Sequence, residues 1–401
     1  MGERVLGRAP REGACVRNRL ATPSLLAHAV LIQAVAFLLR PAAVYQAIRL
    51  DVPAWALGAL GASFALVPLL IALPVGGLVD RVGARAVMAV GSLVAVGAAA
   101  VLLLAGGSVA GLLLGIALLG AGHLGCVVGQ QTVVAGGTGG TRLDSRFGYY
   151  TFAASLGQAI GPAFIPVLAG GSVRPDPAPL FLVGGILAVL LLVSTAGIRS
   201  PSPRGPAAEG AAAPGSTLGL LRVPGLARAL LTSATVVAAV DLTVVYLPAL
   251  GAERGLPAGV VGALLTVRAL ASMASRLLLG AATARLGRTR VMVGGILISA
   301  LCLVLVALPA PTVLLFVAVA ALGLGLGIGQ PITMSWLIER TPADRHGRAL
   351  ALRLAGNRLG LIALPSLLGV LAAAAGAGGV LIGTGAAVGA TLLLLRGVRL
   401  D

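Results

Sequence analysis

The sequence predicts an all-α polytopic membrane protein with twelve transmembrane helices in two pseudo-symmetric six-helix bundles. Three observations carry that fold. Apolar runs of membrane length recur along nearly the whole chain, arginines crowd into alternate gaps between them, and one stretch of the first half repeats in the second. Hydrophobic residues fill 58% of the 401 positions and charged residues only 10%, whereas a soluble domain is roughly a quarter charged. Water cannot be the main solvent of such a chain, and runs of about 20 apolar residues are what a helix needs to cross about 30 Å of hydrocarbon.

Runs bounded by charge, Gly or Pro place the first six helices near 22–48, 53–79, 86–106, 109–135, 147–169 and 178–198. The second six fall near 226–250, 257–282, 290–308, 311–338, 348–373 and 377–396. Residues 1–21 form an Arg-rich tail that leads into a run too long for a signal-peptide core, which predicts an uncleaved first helix. Between the two sets, residues 199–225 have the Pro, Gly, Ala and Ser content of a flexible linker. The expected organisation is a cytoplasmic tail, a bundle over 22–198, the linker, a bundle over 226–396 and a short C-terminus at 397–401.

Charge sets the expected orientation, since short cytoplasmic loops are richer in basic residues than external ones. Arg81, Arg85, Arg142, Arg146, Arg199, Arg204, Arg285, Arg288, Arg290, Arg340, Arg345 and Arg348 all fall on one side. The other side holds Arg49, Arg174 and Arg254, each near an acid in sequence (Asp51, Asp176, Glu253). Both termini are therefore expected in the cytoplasm of a bacterial cell, with the chain in its inner membrane.

The formal charge of +17 would point to nucleic acid in a soluble protein, but no basic face with stacking aromatics is present, so no nucleic-acid partner is expected. All 29 basic residues are Arg, which removes the phosphate-binding Lys of a P-loop ATPase. Cys15, Cys126 and Cys302 show no CxxC spacing, so neither disulfide, metal site nor cofactor is expected.

The repeat supports the two halves independently, because many transporters are built from repeated units. Pro53 to Gly91 aligns without gaps on Pro257 to Gly295, matching Pro53 with Pro257, Gly76 with Gly280, Arg81 with Arg285, Gly83 with Gly287 and Met88 with Met292.

After helix two stands Gly76-Gly-Leu-Val-Asp80-Arg81-Val-Gly83-Ala-Arg85. This resembles the G-x-x-x-D-R-x-G-x-R signature of the major facilitator superfamily. The second copy keeps Gly280, Arg285, Gly287 and Arg288 but has Ala284 in place of the acid. The glycines allow two helix ends to approach closely and Gly83 permits a tight reversal. The resemblance implies that Asp80 and Arg81 belong to an inner latch that breaks when the cytoplasmic side opens; the competing reading is that these charges only solubilise a turn. In helix five, Gly148, Gly157, Gly161 and Pro162 resemble part of the signature of drug-exporting facilitators, although Ile165 and Pro166 stand where the family pattern closes on a glycine pair. A kinked, closely packed helix is the alternative.

An ionisable group at mid-membrane depth costs several kcal/mol unless it meets a cavity or a partner. The candidates are Arg40, His123, Asp241, Arg268, Arg276 and Arg358, with Gln330 and Asn357 as polar neighbours in helices ten and eleven. None falls in helices three, six, nine or twelve, which the resemblance makes peripheral. Arg268, Ser272 and Arg276 form a stripe along helix eight, and Thr151, Ser155 and Gln158 a stripe along helix five; a wetted seam and dry interhelical hydrogen bonding both fit. Asp241 is either the coupling carboxylate or a fixed counter-ion, and His123 either a proton carrier or a packed group. Gln130, Gln131 and Trp336 are cavity candidates, and Tyr45 and Tyr246 are expected in the outer aromatic belt.

The resemblance implies secondary transport by alternating access, first as proton-coupled export of a small organic molecule. Uptake or exchange of an organic anion is the alternative, since the expected cavity holds more arginines than acids. A monomer surrounded by lipid is expected. A membrane-embedded enzyme is a distant third reading, because no acidic cluster or external domain is present.

Overall fold

The computed structural model describes residues 23–135, 140–198, 225–341 and 346–395, and the chain there is helical almost throughout. Lipid offers no hydrogen-bond partner to the backbone, and helices satisfy their N–H and C=O groups within one segment. The first half holds α1 (Pro23–Arg49), α2 (Ala54–Val82), α3 (Ala84–Ala105), α4 (Val109–Ala135), α5 (Gly140–Ala169) and α6 (Ala178–Ser194). The second holds α7 (Leu226–Glu253), α8 (Ala258–Leu286), α9 (Arg288–Ala307), α10 (Thr312–Glu339) and α11 (His346–Leu395). Within α11, Ala375 (φ −139°, ψ 23°) and Gly376 (φ 59°, ψ −157°) leave helical geometry and divide it into arms 346–374 and 377–395. Eleven helices among the described residues are long and apolar enough to span a membrane, and the break in the last makes twelve rods. The expected tail, the linker as far as 224 and the C-terminal 397–401 lie outside the described residues.

The repeat reappears as backbone geometry. Pro53 (φ −67°, ψ 150°) and Pro257 (φ −56°, ψ 141°) precede α2 and α8 in extended conformation. Gly83 (φ 89°, ψ 151°) and Gly287 (φ 82°, ψ 151°) end them in a region side chains rarely enter. Each donates its N–H back into the preceding helix, to Val79 at 2.9 Å and Thr283 at 3.0 Å. The pairing of α3 with α4 is likewise repeated by α9 with α10: a Cβ at Gly91 would lie 2.8 Å from the Gly122 carbonyl oxygen, and one at Gly325 would lie 2.6 Å from that of Gly295. Small residues let the backbones touch where no hydrophobic force drives helices together in lipid.

α2 and α8 run past their predicted ends near 79 and 282, because only the following glycine stops them. α5 begins at Gly140 rather than near 147, because its polar opening turns are helical although they need not lie in hydrocarbon.

α1 and α7 are the most enclosed helices, with unbroken buried runs from Ile32 to Tyr45 and from Asp241 to Gly251. α3, α6 and α9 instead expose Leu104, Leu182 and Leu301, and the last arm exposes Leu393; these apolar faces are suited to lipid. The halves meet where α1 packs on α7, α2 on α7 and α11, and α5 on α8. This arrangement corrects the expected belt positions of Tyr45 and Tyr246. Both are fully buried, because the outer ends of α1 and α7 face the junction of the halves rather than lipid; the Tyr246 hydroxyl would sit 3.2 Å from a Cβ at Gly58 of α2.

Candidate functional site

Midway along the enclosed pair, Arg40 of α1 forms an ion pair with Asp241 of α7, both almost fully buried. Asp241 Oδ2 meets no hydrogen-bond donor among the described residues and faces Gly61 of α2, where a Cβ would lie 3.2 Å away. Phe64, one turn further along α2, carries the Arg40 guanidinium 4.4 Å from its ring centroid and that of Arg358, from α11, at 6.0 Å. The His123 ring of α4 packs against the same phenyl at 5.4 Å, tilted by 58°. Arg268 of α8 is 1% exposed, lies within electrostatic reach of Arg276, Arg40 and Asp241, and its buried Nε and Nη2 make no hydrogen bond to any described residue. Five helices of the two halves thus bring three guanidiniums, one carboxylate and one aromatic ring to the centre of the molecule.

Around this centre the remaining candidates divide. Arg276 donates to the Ser155 hydroxyl across the α5–α8 junction, joining the two predicted stripes. Ser272 and Ser275 turn instead toward Gly327 of α10. Asn357 Oδ1 accepts from Ser233 at 3.1 Å. The Gln330 carbonyl faces buried Arg353 Nη2 at 3.4 Å. Trp336 is buried and lies beneath Arg340 at 5.7 Å, so it is an enclosed ring rather than a cavity contact.

Gln130 also leaves the cavity group, because it belongs to a closed network in the first half. His28 Nδ1 meets Gln130 Nε2 at 2.6 Å, His28 Nε2 meets Ser92 Oγ at 3.2 Å, and the Tyr150 hydroxyl donates to Gln130 Oε1 at 3.2 Å. Sequence reasoning passed over His28; its signal was a lone His in an apolar run, but its partners are 64 and 102 residues away. Phe64 was also missed, and in sequence nothing separates it from other apolar residues.

The latch motif is described in all but one side chain. Arg81, Arg85 and Arg285 are exposed, the Asp80 side chain lies outside the described residues, and no described atom comes within 4 Å of a Cβ at Gly76 or Gly280. Arg288 pairs with Glu339 of α10 at 2.6 Å. In α5, Gly148 is open, whereas Cβ atoms at Gly157 and Gly161 would lie 2.1 Å from the Val30 and 2.6 Å from the Ala34 carbonyl oxygens of α1. These two glycines serve packing inside the first half.

At the opposite face the halves are stitched by backbone. The N–H groups of Ala258 and Gly259, left without intrahelical partners at the start of α8, donate to Ser172 at 2.8 Å and Gly170 at 2.9 Å in the loop after α5. Exposed pairs Arg49–Asp176 (3.7 Å) and Arg174–Asp51 (3.5 Å) tie the loops of the first half together there.

Twelve membrane-length rods in two repeated halves, enclosing a charged centre, define a polytopic membrane protein of transporter architecture. The family model of the Major Facilitator Superfamily matches residues 25–258 and 229–400, and the chain belongs to that family. No curated protein matches it in sequence. Among solved structures, the nucleoside transporter NupG aligns with TM-score 0.71 and 15% identity over 93% of this chain and 98% of its own. A POT family transporter in complex with 5-aminolevulinic acid gives 0.75 and 12% over 94% and 95%, and a D-xylose-proton symporter gives 0.74 and 14% over 94% and 98%.

Proposed function

We propose that the chain is a secondary active transporter of a small organic solute, working by alternating access as a monomer in a bacterial inner membrane with both termini cytoplasmic. The observation that carries this reading is the Arg40–Asp241 ion pair, which joins the two halves at mid-depth, where a solute entering from either face must pass. Rocking of one half on the other around a fixed central site is how such repeats expose it alternately. In this reading the face stitched by Ala258 and Gly259 is the closed one, and the arginine-rich face is the one proposed to be open. Protons are the proposed coupling ion, since Asp241 is the one buried acid among the described residues. The signature that favoured export loses weight, because Gly157 and Gly161 are accounted for by their contact with α1; the charge of the centre is the better guide to the solute. The resemblance to a nucleoside transporter, a D-xylose-proton symporter and a POT family transporter in complex with 5-aminolevulinic acid supports a small organic cargo.

Electron spin-pair distances test the cycle without knowledge of the solute. Two labelled variants in a background free of native cysteines suffice: Ser172→Cys with Ala252→Cys on the stitched face, and Leu78→Cys with Leu354→Cys on the open one. Alternating access requires two populations on each face that shift in opposite directions as pH changes. One fixed distance on each face from pH 5 to 9 would overturn it.

A further inference from the structure

The central cluster is out of charge balance. At this centre Arg40, Arg268 and Arg358 bring three positive charges and Asp241 one negative, leaving two uncompensated; Arg276, further along α8, and Arg353 of α11 add to the positive charge but have the Ser155 hydroxyl and the Gln330 carbonyl as acceptors. Burying a guanidinium without a partner costs several kcal/mol, and buried polar groups are otherwise almost always hydrogen-bonded. Arg40 has Asp241. Arg268 has buried Nε and Nη2 hydrogens aimed at no described acceptor, and it comes from the opposite half to Arg40. Phe64 holds the flat faces of Arg40 and Arg358; the edge of Arg40 is turned to Asp241, which leaves that of Arg358, where its N–H donors lie, available for oxygen.

We propose that this cluster is the binding site of an organic dianion whose charge is carried on oxygen, a dicarboxylate or a phosphate monoester, with Arg268 and Arg358 as the anion-binding donors and Phe64 as the platform that orients Arg358. A planar guanidinium grips carboxylate or phosphate oxygens through two parallel hydrogen bonds, and two negative charges match the two that are uncompensated. A neutral sugar or nucleoside would leave the cost of the buried cations unmet, and a monoanion would offset only half of it. The inference deepens the alternating-access reading and depends on it for the meaning of binding, not for its detection.

The test uses purified full-length protein in detergent at constant ionic strength, with thermal unfolding followed against succinate, methyl phosphate, acetate, chloride, xylose and uridine. Succinate or methyl phosphate is expected to raise the unfolding temperature saturably, and the arm that responds identifies the dicarboxylate or the phosphate monoester. Arg268→Gln should unfold at the same or a higher temperature without ligand, because it removes an unmatched buried charge, yet bind the dianion at least tenfold more weakly. Arg358→Gln should weaken binding comparably. Equal responses to chloride and the dianions, stabilisation by xylose or uridine alone, the same affinity in Arg268→Gln as in the native chain, or no response to any compound would each overturn the inference. If the dianions fail while the spin-pair distances still exchange, the solute class falls and alternating access stands; fixed distances with intact dianion binding give the reverse.

Discussion

At the scale of single residues, the Arg40–Asp241 pair is the contact on which most depends. Removing one partner of a buried ion pair leaves the other charge unmatched and costs about 3–5 kcal/mol, whereas replacing both by neutral groups is often tolerated. Asp241→Asn and Arg40→Gln are each expected to lower thermal stability strongly, Asp241→Asn more so because Arg268 and Arg358 also lose their counter-charge. The double variant should recover much of the loss, and a double-mutant cycle in unfolding free energy measures the coupling; additive effects would show that the pair is not energetically linked. In gradient-driven transport, Asp241→Asn should abolish accumulation while leaving solute exchange. Asp241, Arg40, Arg268 and Arg358 were legible because an ionisable residue stands out inside an apolar run. Phe64 was not, since its importance comes from the two guanidiniums stacked on it, and Tyr45 and Tyr246 were misplaced because depth in the membrane is readable from sequence but direction around a helix of low amphipathicity is not.

At the scale of elements, the last helix owes its separate start to a side chain rather than to a loop. Both carboxylate oxygens of Glu253, at the end of α7, accept from the Ala377 N–H, at 2.9 and 3.2 Å, immediately after the non-helical Gly376. Arg254 beside it donates at 3.0 Å to the Val306 carbonyl and also to that of Ala307, at the end of α9. A hydrogen bond to a charged group contributes about 1.5–3 kcal/mol, so Glu253→Ala should lower stability by about that amount in denaturant titration and Glu253→Gln by less. The sequence placed this break between 373 and 377, where small residues cluster, but could not show what caps it. On the other face, the Arg288 guanidinium bonded to Glu339 holds that carboxyl below the usual range. The folded value is thus lower than the unfolded value of about 4.3, so the contribution is complete above that pH and is lost as pH falls through the folded value. Both groups are substantially exposed, and the effect is correspondingly small. Arg288→Gln should lower stability slightly near neutrality and flatten the acid limb of the profile below about pH 4.3, so that variant and native chain converge at low pH.

At the scale of the whole molecule, the proposed rocking makes the two faces opposite ends of one lever, and the sequence disclosed the lever before its position. The repeat from Pro53 and Pro257 and the spacing of the arginines defined two halves and two faces, because both are one-dimensional patterns. Which face is shut depends on contacts between segments far apart in the chain, such as the donation from Ala258 to Ser172, and no pattern records those. The closed face can be forced open with a wedge. A Cβ at Gly259 would lie 2.8 Å from the Gly170 carbonyl oxygen and 3.5 Å from Pro166 Cα, and this neighbour is backbone of the other half, which cannot turn aside as a side chain would. Gly259→Leu should therefore break the stitch, separate α5 from α8 at this end and, if each half moves as a body, bring the far ends of α2 and α11 together near the latch motif. The spin-pair distance between positions 172 and 252 is expected to lengthen while that between 78 and 354 shortens. A tenfold change in the population ratio corresponds to about 1.4 kcal/mol, within reach of one lost hydrogen bond and a steric clash together. Adding Asp80→Asn to the wedge should partly reverse the shift by weakening the latch that the new state engages, whereas Ala284→Asp, which restores the missing acid of the second copy, should reinforce it. An unchanged 78–354 distance in a well-folded Gly259→Leu protein, with the 172–252 distance lengthened, would show that the stitched face opens locally and that the halves do not rock as units.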